Sequence, residues 1–136
     1  MIKTCVRCDA EAEMVPFAGE MHRVSYRGAT AEVMDLSGFR CPACGEIEFD
    51  AASAERYAAA GDALVLAERQ AAGEELRRIR KKLRINQIEA SRLTGGGHNA
   101  FSRYETGKVA PPPAVMNLFR LLDRHPESIE VLRRVG

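Results

Sequence analysis

The stretch LRRIRKKLRINQIEASRLTGGGHNAFSRYETGKVAPPPAVMNLFRLL, running from Leu76 to Leu122, decides the fold of the second half of this 136-residue chain. Leu76, Ile79 and Leu83, with Arg80 among them, recur at helical spacing and give a first helix one apolar stripe. Asn86-Gln87 opens a short second helix over Gln87–Leu93, which Gly95-Gly96-Gly97 breaks. His98–Thr106 reads as a third helix, stopped by Gly107. Beyond Pro111-Pro112-Pro113, the run Ala114–Arg124 carries Val115, Leu118, Phe119, Leu121 and Leu122 at helical spacing. Pro126 opens a last helix containing Ile129 and Leu132, so residues 74–136 are expected to be all-helical.

A basic first helix, a second helix, a glycine-containing turn and a third helix ending in Arg-Tyr-Glu-x-Gly resemble a lambda-repressor-like helix-turn-helix domain. Such a third helix must pack one face on its own domain and offer polar residues from the other to base edges. Phe101 and Tyr104, three apart, supply the packing face, while Asn99 and Arg103, four apart, lie together opposite. Arginine donates two hydrogen bonds to guanine O6 and N7, and asparagine pairs with adenine N6 and N7. Asn99 and Arg103 are therefore the expected base readers, with His98 and Ser102 as secondary candidates. Gln87, at the start of the second helix, is placed to hold a phosphate. Arg77, Arg78, Arg80, Lys81, Lys82 and Arg84 supply positive charge, part of it on an ordinary solvated face. The competing reading is a plain helical bundle in which Asn99 and Arg103 merely face water. Glu105 has no second carboxylate or histidine placed to partner it, so it reads as a structural acceptor and not a catalytic acid. The triple glycine is no phosphate loop, because no Gly-Lys-Ser/Thr follows it.

Charge changes sign along the chain. Residues 1–70 carry 7 Lys/Arg against 12 Asp/Glu, whereas residues 74–108 carry 9 against 4, within an overall net charge of +1. An acidic half followed by a basic segment suggests two modules with different partners. The alanine-rich segment 51–72 reads as a helix, capped by Asp50 or Ser53 and open to disturbance at Gly61. Ala71-Ala72-Gly73 is the candidate hinge, giving expected domains over 1–70 and 74–136.

All four cysteines fall in the first 44 residues, as two Cys-x2-Cys pairs, Cys5/Cys8 and Cys41/Cys44. Zinc prefers four soft ligands in a tetrahedron, and each Cys-x2-Cys turn presents two thiolates. One zinc per chain is expected, held by Cys5, Cys8, Cys41 and Cys44. Four thiolates leave no open position for substrate, so that zinc is structural and the chain is not expected to be an enzyme. The alternatives are redox dithiols or buried free thiols, but no βαβ pattern surrounds Cys5. His22 and His125 are left over and read as surface residues. Around the cysteines, Met21–Arg27 and Thr30–Leu36 alternate as two strands joined by a Gly28-Ala29 turn, and Glu46–Phe49 offers a short third strand. With few large apolar residues, such a segment needs a metal staple. The expected fold class is α+β, a small zinc ribbon with a helix followed by an all-α helix-turn-helix domain. No apolar run approaches a membrane span, and the polar start MIKTCVRCDAEAEM is unlike a signal peptide, so a cytoplasmic location is expected.

Taken together, these features resemble the MqsA-type antitoxins of bacterial toxin–antitoxin systems. The likeness is strongest over GGGHNAFSRYETGKVAPPPAVMNLFRLLDRHP, Gly95 to Pro126. It extends to the two cysteine pairs, the Tyr26-Arg27-Gly28 turn and Gly38-x-x-Cys-x-x-Cys. The resemblance implies a homodimer formed through the helical half, bound to a palindromic operator on double-stranded DNA upstream of its own operon. It implies base reading by Asn99 and Arg103, a structural zinc, and capture of a small basic ribonuclease toxin by the first half. Such a repressor is nucleoid-associated when on its operator. A stand-alone helix-turn-helix transcription regulator with a structural zinc ribbon is the alternative, and a neighbouring ribonuclease gene would separate the two.

Overall fold

The computed structural model describes residues 2–135. It falls into two compact units, Met1–Val65 and Leu66–Gly136. Its α+β composition is the one expected, a three-stranded antiparallel sheet in the first unit and short helices in the second.

In the first unit, β1 (Val15–Tyr26) and β2 (Ala29–Arg40) form an antiparallel hairpin, and β3 (Ile47–Phe49) pairs with the other edge of β2. The turn lies one residue earlier than the expected Gly28-Ala29. Arg27 and Gly28 both have positive φ, 48° and 86°, between the paired residues Tyr26 and Ala29. A two-residue turn of that kind matches the twist of the flanking strands. Both strands are also longer than their alternation suggests. The pairing slips between Phe17 and His22, where Gly19 and the opposite Asp35 take left-handed backbone, and the irregularity hides the period of two.

Gly38 pairs with Phe17 on one side and Phe49 on the other, and the two rings meet edge to face with centroids 6.2 Å apart. His22 fills the same aromatic group, 5.1 Å from Phe49 and 5.6 Å from Phe17, with Nε2 3.2 Å from Glu20 Oε2. The side chain expected at the surface is thus only 17% exposed, because a glycine in the central strand leaves room that neighbouring rings close over. His125 is 59% exposed, as a surface residue should be.

Helix α1 (Ala51–Lys82) starts at Asp50, whose Oδ1 accepts the Ser53 N–H at 2.7 Å. The Ser53 hydroxyl is in turn the acceptor for the Ser37 N–H of β2 at 2.9 Å. Residues 71–73, expected to form a hinge, are helical and belong to the second unit. Alanine is the best helix former. Gly73 is buried against other backbone and leaves no slack (a Cβ there would lie 2.2 Å from the Tyr104 carbonyl oxygen).

The second unit continues with α2 (Gln87–Leu93), α3 (Ala100–Glu105), α4 (Pro113–Arg124), a 3-10 turn at Pro126–Ser128 and α5 (Ile129–Val135). Asn86 caps α2, its Oδ1 accepting the Glu89 N–H at 2.8 Å. Gly95 and Gly107, at φ 73° and 77°, end α2 and α3 alike. In each case the next amide reaches back, Gly96 N–H to the Ser91 carbonyl at 2.9 Å and Lys108 N–H to the Arg103 carbonyl at 3.0 Å. One apolar core gathers Leu76, Ile79, Leu83, Ile85, Ala90, Phe101, Val115, Met116, Phe119, Leu122 and Ile129. The Phe101 and Phe119 rings pack 5.0 Å apart at its centre.

Candidate metal centre and nucleic-acid interface

Each cysteine pair sits in a tight backbone turn. The Cys5 N–H bonds the Ala12 carbonyl at 2.9 Å and the Met14 N–H bonds the Lys3 carbonyl at 2.7 Å, folding Cys5-x-x-Cys8 into a small loop. On the other side the Cys41 N–H bonds the Glu46 carbonyl at 2.8 Å, and the Gly45 N–H closes on the Cys41 carbonyl at 2.9 Å. The four sulfur atoms all lie within 4.8 Å of one another, with Cys5–Cys44 at 3.8 Å and Cys8–Cys41 at 3.7 Å. A tetrahedral ion bonded to sulfur at about 2.3 Å requires sulfurs about 3.8 Å apart, so the residues fit such an ion.

Acidity within the cluster points the same way. Amides of Cys44 and Ala43 favour the Cys41 thiolate against burial and bring it down to about 7. The Glu46 amide also favours a Cys44 thiolate, but burial and the crowding thiols of Cys41, Cys5 and Cys8 outweigh it and carry Cys44 up to about 12. Cys41 thus takes up negative charge more readily than Cys44. A bound cation is what lets four thiolates share so small a volume. Such an ion would have all four ligand positions filled by sulfur, and Cys5 and Cys41 are buried together with Met14.

The second candidate surface is built on α3. Its fully buried Phe101 turns one face into the core, and the Phe101 N–H is held by the buried Ser91 hydroxyl of α2 at 3.2 Å. The opposite face is exposed. Asn99, Ser102, Arg103, Thr106 and Lys108 line one concavity of the surface. Asn99 is the cap residue of α3 and not part of its first turn, but its side chain makes no capping bond and stands free for another partner. Arg103 makes no ion pair among the described residues. His98 is exposed just before this surface, and Gln87 is half-buried at the first position of α2, outside the concavity. Thr106 and Lys108 were not singled out from the sequence. Their signal lay in Gly107, whose left-handed turn folds residue 108 back beside Arg103.

The cations of the basic run divide into two groups. Arg78 and Lys82 pair with Asp123 at 2.9 Å each, and the half-buried Arg80 pairs with Glu105 at 2.9 Å. Arg77, Lys81 and Arg84 remain exposed. Glu105 is thus the structural acceptor the sequence suggested. Among the described residues no helix is long and apolar enough to cross a membrane.

Comparison with known proteins accords with both halves. Residues 3–133 match the family described as the antitoxin component of bacterial toxin–antitoxin systems, MqsA. The antitoxin MqsA of Escherichia coli (strain K12) is 38% identical over 112 residues, which cover 80% of this chain and 85% of that protein. A match of this extent spans the cysteine cluster and the helical core together, and it marks a regulatory protein rather than an enzyme. The chain therefore belongs to the MqsA family of antitoxins.

Proposed function

We propose that this chain is an autoregulating antitoxin: its first unit, stapled by one structural zinc on Cys5, Cys8, Cys41 and Cys44, neutralises a ribonuclease toxin, and its second unit represses its own operon by sequence-specific DNA binding. The observation that carries the DNA role is the two-faced α3. Phe101 is wholly buried while Asn99 and Arg103, two residues to either side, open onto one exposed concavity with Ser102. An amide and a guanidinium so disposed suit adenine and guanine edges in the major groove. His98 stands beside them, Gln87 suits a phosphate at α2, and the exposed Arg77, Lys81 and Arg84 add non-specific attraction.

Two-fold reading of a palindromic operator calls for a homodimer through the second unit. The acidic excess of residues 1–70 suits a small basic toxin. Zinc is the ion best matched to four thiolates in a closed tetrahedron. These roles place the protein in the cytoplasm, on the nucleoid when bound to its operator.

Footprinting on the chain's own promoter tests the repressor role, with half-sites expected one helical turn apart or a multiple of it. Arg103→Ala is expected to weaken operator binding by about 1–3 kcal/mol and to relax the sequence requirement at one base pair. Operator affinity equal to the parent's would remove Arg103 from base reading. Co-purification of a small basic ribonuclease supports the antitoxin role. Its absence from a chain that still binds the operator would leave a stand-alone regulator.

A further inference from the structure

The ion pair between Arg80 and Glu105 is largely withdrawn from water. Its side chains are 13% and 3% exposed, whereas the pairs that Glu20, Glu75, Glu89 and Asp123 make with arginine or lysine each have a partner more than a third exposed. The pairing is two-pronged. Arg80 Nε donates to Glu105 Oε2 and Nη2 to Oε1, both at 2.9 Å. The third nitrogen, Nη1, donates to the carbonyl of Ile85 at 3.0 Å. Ile85 directly precedes Asn86, the cap of α2, and Glu105 closes the last turn of α3. One rigid guanidinium on α1 therefore ties the entrance of α2 to the exit of α3.

Two further contacts act on the same end of α3. Gly73 of α1 passes so close that a Cβ there would meet the carbonyl oxygens of Tyr104 and Glu105 at 2.2 and 3.0 Å. Arg69 of α1 donates to the Lys108 carbonyl just past α3. Arg103, which lines the exposed concavity, stands two residues before Glu105 and five before Lys108.

We infer that Arg80 and Glu105 are positioning residues for DNA recognition: their two-pronged pair fixes the angle of α3 against α1 and α2, and so the direction in which Asn99 and Arg103 are presented. The inference rests on the proposed reading of DNA by α3. The chemistry distinguishes it from simple stabilisation. Two desolvated charges are a poor source of net stability, and apolar residues of similar volume commonly replace such a pair without loss. What leucine and methionine cannot replace is direction. A fork of three N–H bonds accepts one geometry, while an apolar contact tolerates several.

The test is the double variant Arg80→Met/Glu105→Leu in the full chain with its metal. Binding is measured to a duplex carrying the site protected in the chain's own promoter and to a scrambled duplex of equal length, at one salt concentration. The expected result is a cooperative melt close to the parent's, scrambled-duplex affinity within about twofold, and a preference for the true site reduced about tenfold or more. A preference equal to the parent's overturns the inference. So does an equal fall on both duplexes, which is the signature of lost structure or charge. Should the double variant fail to fold, Arg80→Lys decides instead, since it keeps the charge and loses the fork. It must lower the preference, and unchanged preference is again fatal. Arg103→Ala measured alongside separates the two layers. If it too leaves the preference intact, the reading of DNA by α3 has failed, and not only its positioning.

Discussion

The two units of this chain reach stability by different routes. The second buries eleven residues in one continuous apolar core, with Phe101, Phe119, Leu76, Ile79 and Leu122 almost wholly removed from water. In the first, Val33 and Leu36 of β2 are buried, and the compact buried cluster found among the described residues is Cys5, Met14 and Cys41. Two of those three are sulfur ligands. Burying a large side chain contributes about 1.5–3 kcal/mol, which the second unit collects many times over and the first does not. A small β domain with so little apolar core generally needs a staple such as a metal ion, and the four clustered sulfurs could hold one. The contrast sets a first unit built around four sulfurs able to hold a metal ion against a second unit with a continuous apolar core of its own.

The largest expected effect breaks this contrast if it is false. Chelation of the metal, or Cys41→Ser, is expected to abolish the cooperative unfolding of residues 1–50 while the helices of the second unit persist. Amide-resolved NMR or limited proteolysis checks it. A first unit that still melts cooperatively without metal would erase the distinction. The reverse experiment is Phe101→Ala, expected to cost the second unit about 3–5 kcal/mol. Chemical denaturation should show that loss while metal content stays at one ion per chain.

Smaller changes sharpen the comparison. Asn86→Ala removes the cap of α2 and is expected to cost about 1 kcal/mol, read as a lower midpoint for the helical unit alone. The gentlest probe is acid. Asp123 is held down to about 2 by hydrogen bonds from Arg78 and then Lys82. A lowered folded-state value means its contribution is present above the ordinary aspartate range, near 3.9, and is lost as pH falls through about 2. An NMR titration of its carboxyl carbon should find that midpoint. A midpoint near 3.9 would show the pair is not formed in solution.

Much of the second unit was legible because its signals are local. Asn86, Gly95, Gly107 and Pro113 punctuate the helices, and the bounds of α2 coincide with those read from the sequence. The paired cysteines announced one four-sulfur cluster, since each tight turn presents two sulfurs regardless of the chain between them. The long hairpin was under-read, because the slip at Gly19 and Asp35 interrupts the alternation on which strands are recognised. His22 was assigned to water, although it lies under rings supplied by residues 17 and 49. The candidate hinge Ala71-Ala72-Gly73 lies inside α1, where Gly73 packs too close to the Tyr104 carbonyl to admit a Cβ.

The sequence by itself determined the class of fold, the sulfur cluster, the order of the helices and the polar pair at the head of α3, because spacing along a chain sets which side chains share a turn or a face. Only the tertiary structure decided the destination of each charge. Arg78, Arg80 and Lys82 look alike in one basic run, yet Asp123 engages two of them and Glu105 takes the third into the interior. The partners lie 25 to 45 residues away. A charge finds its counter-ion through space, and no local pattern encodes which distant carboxylate will arrive.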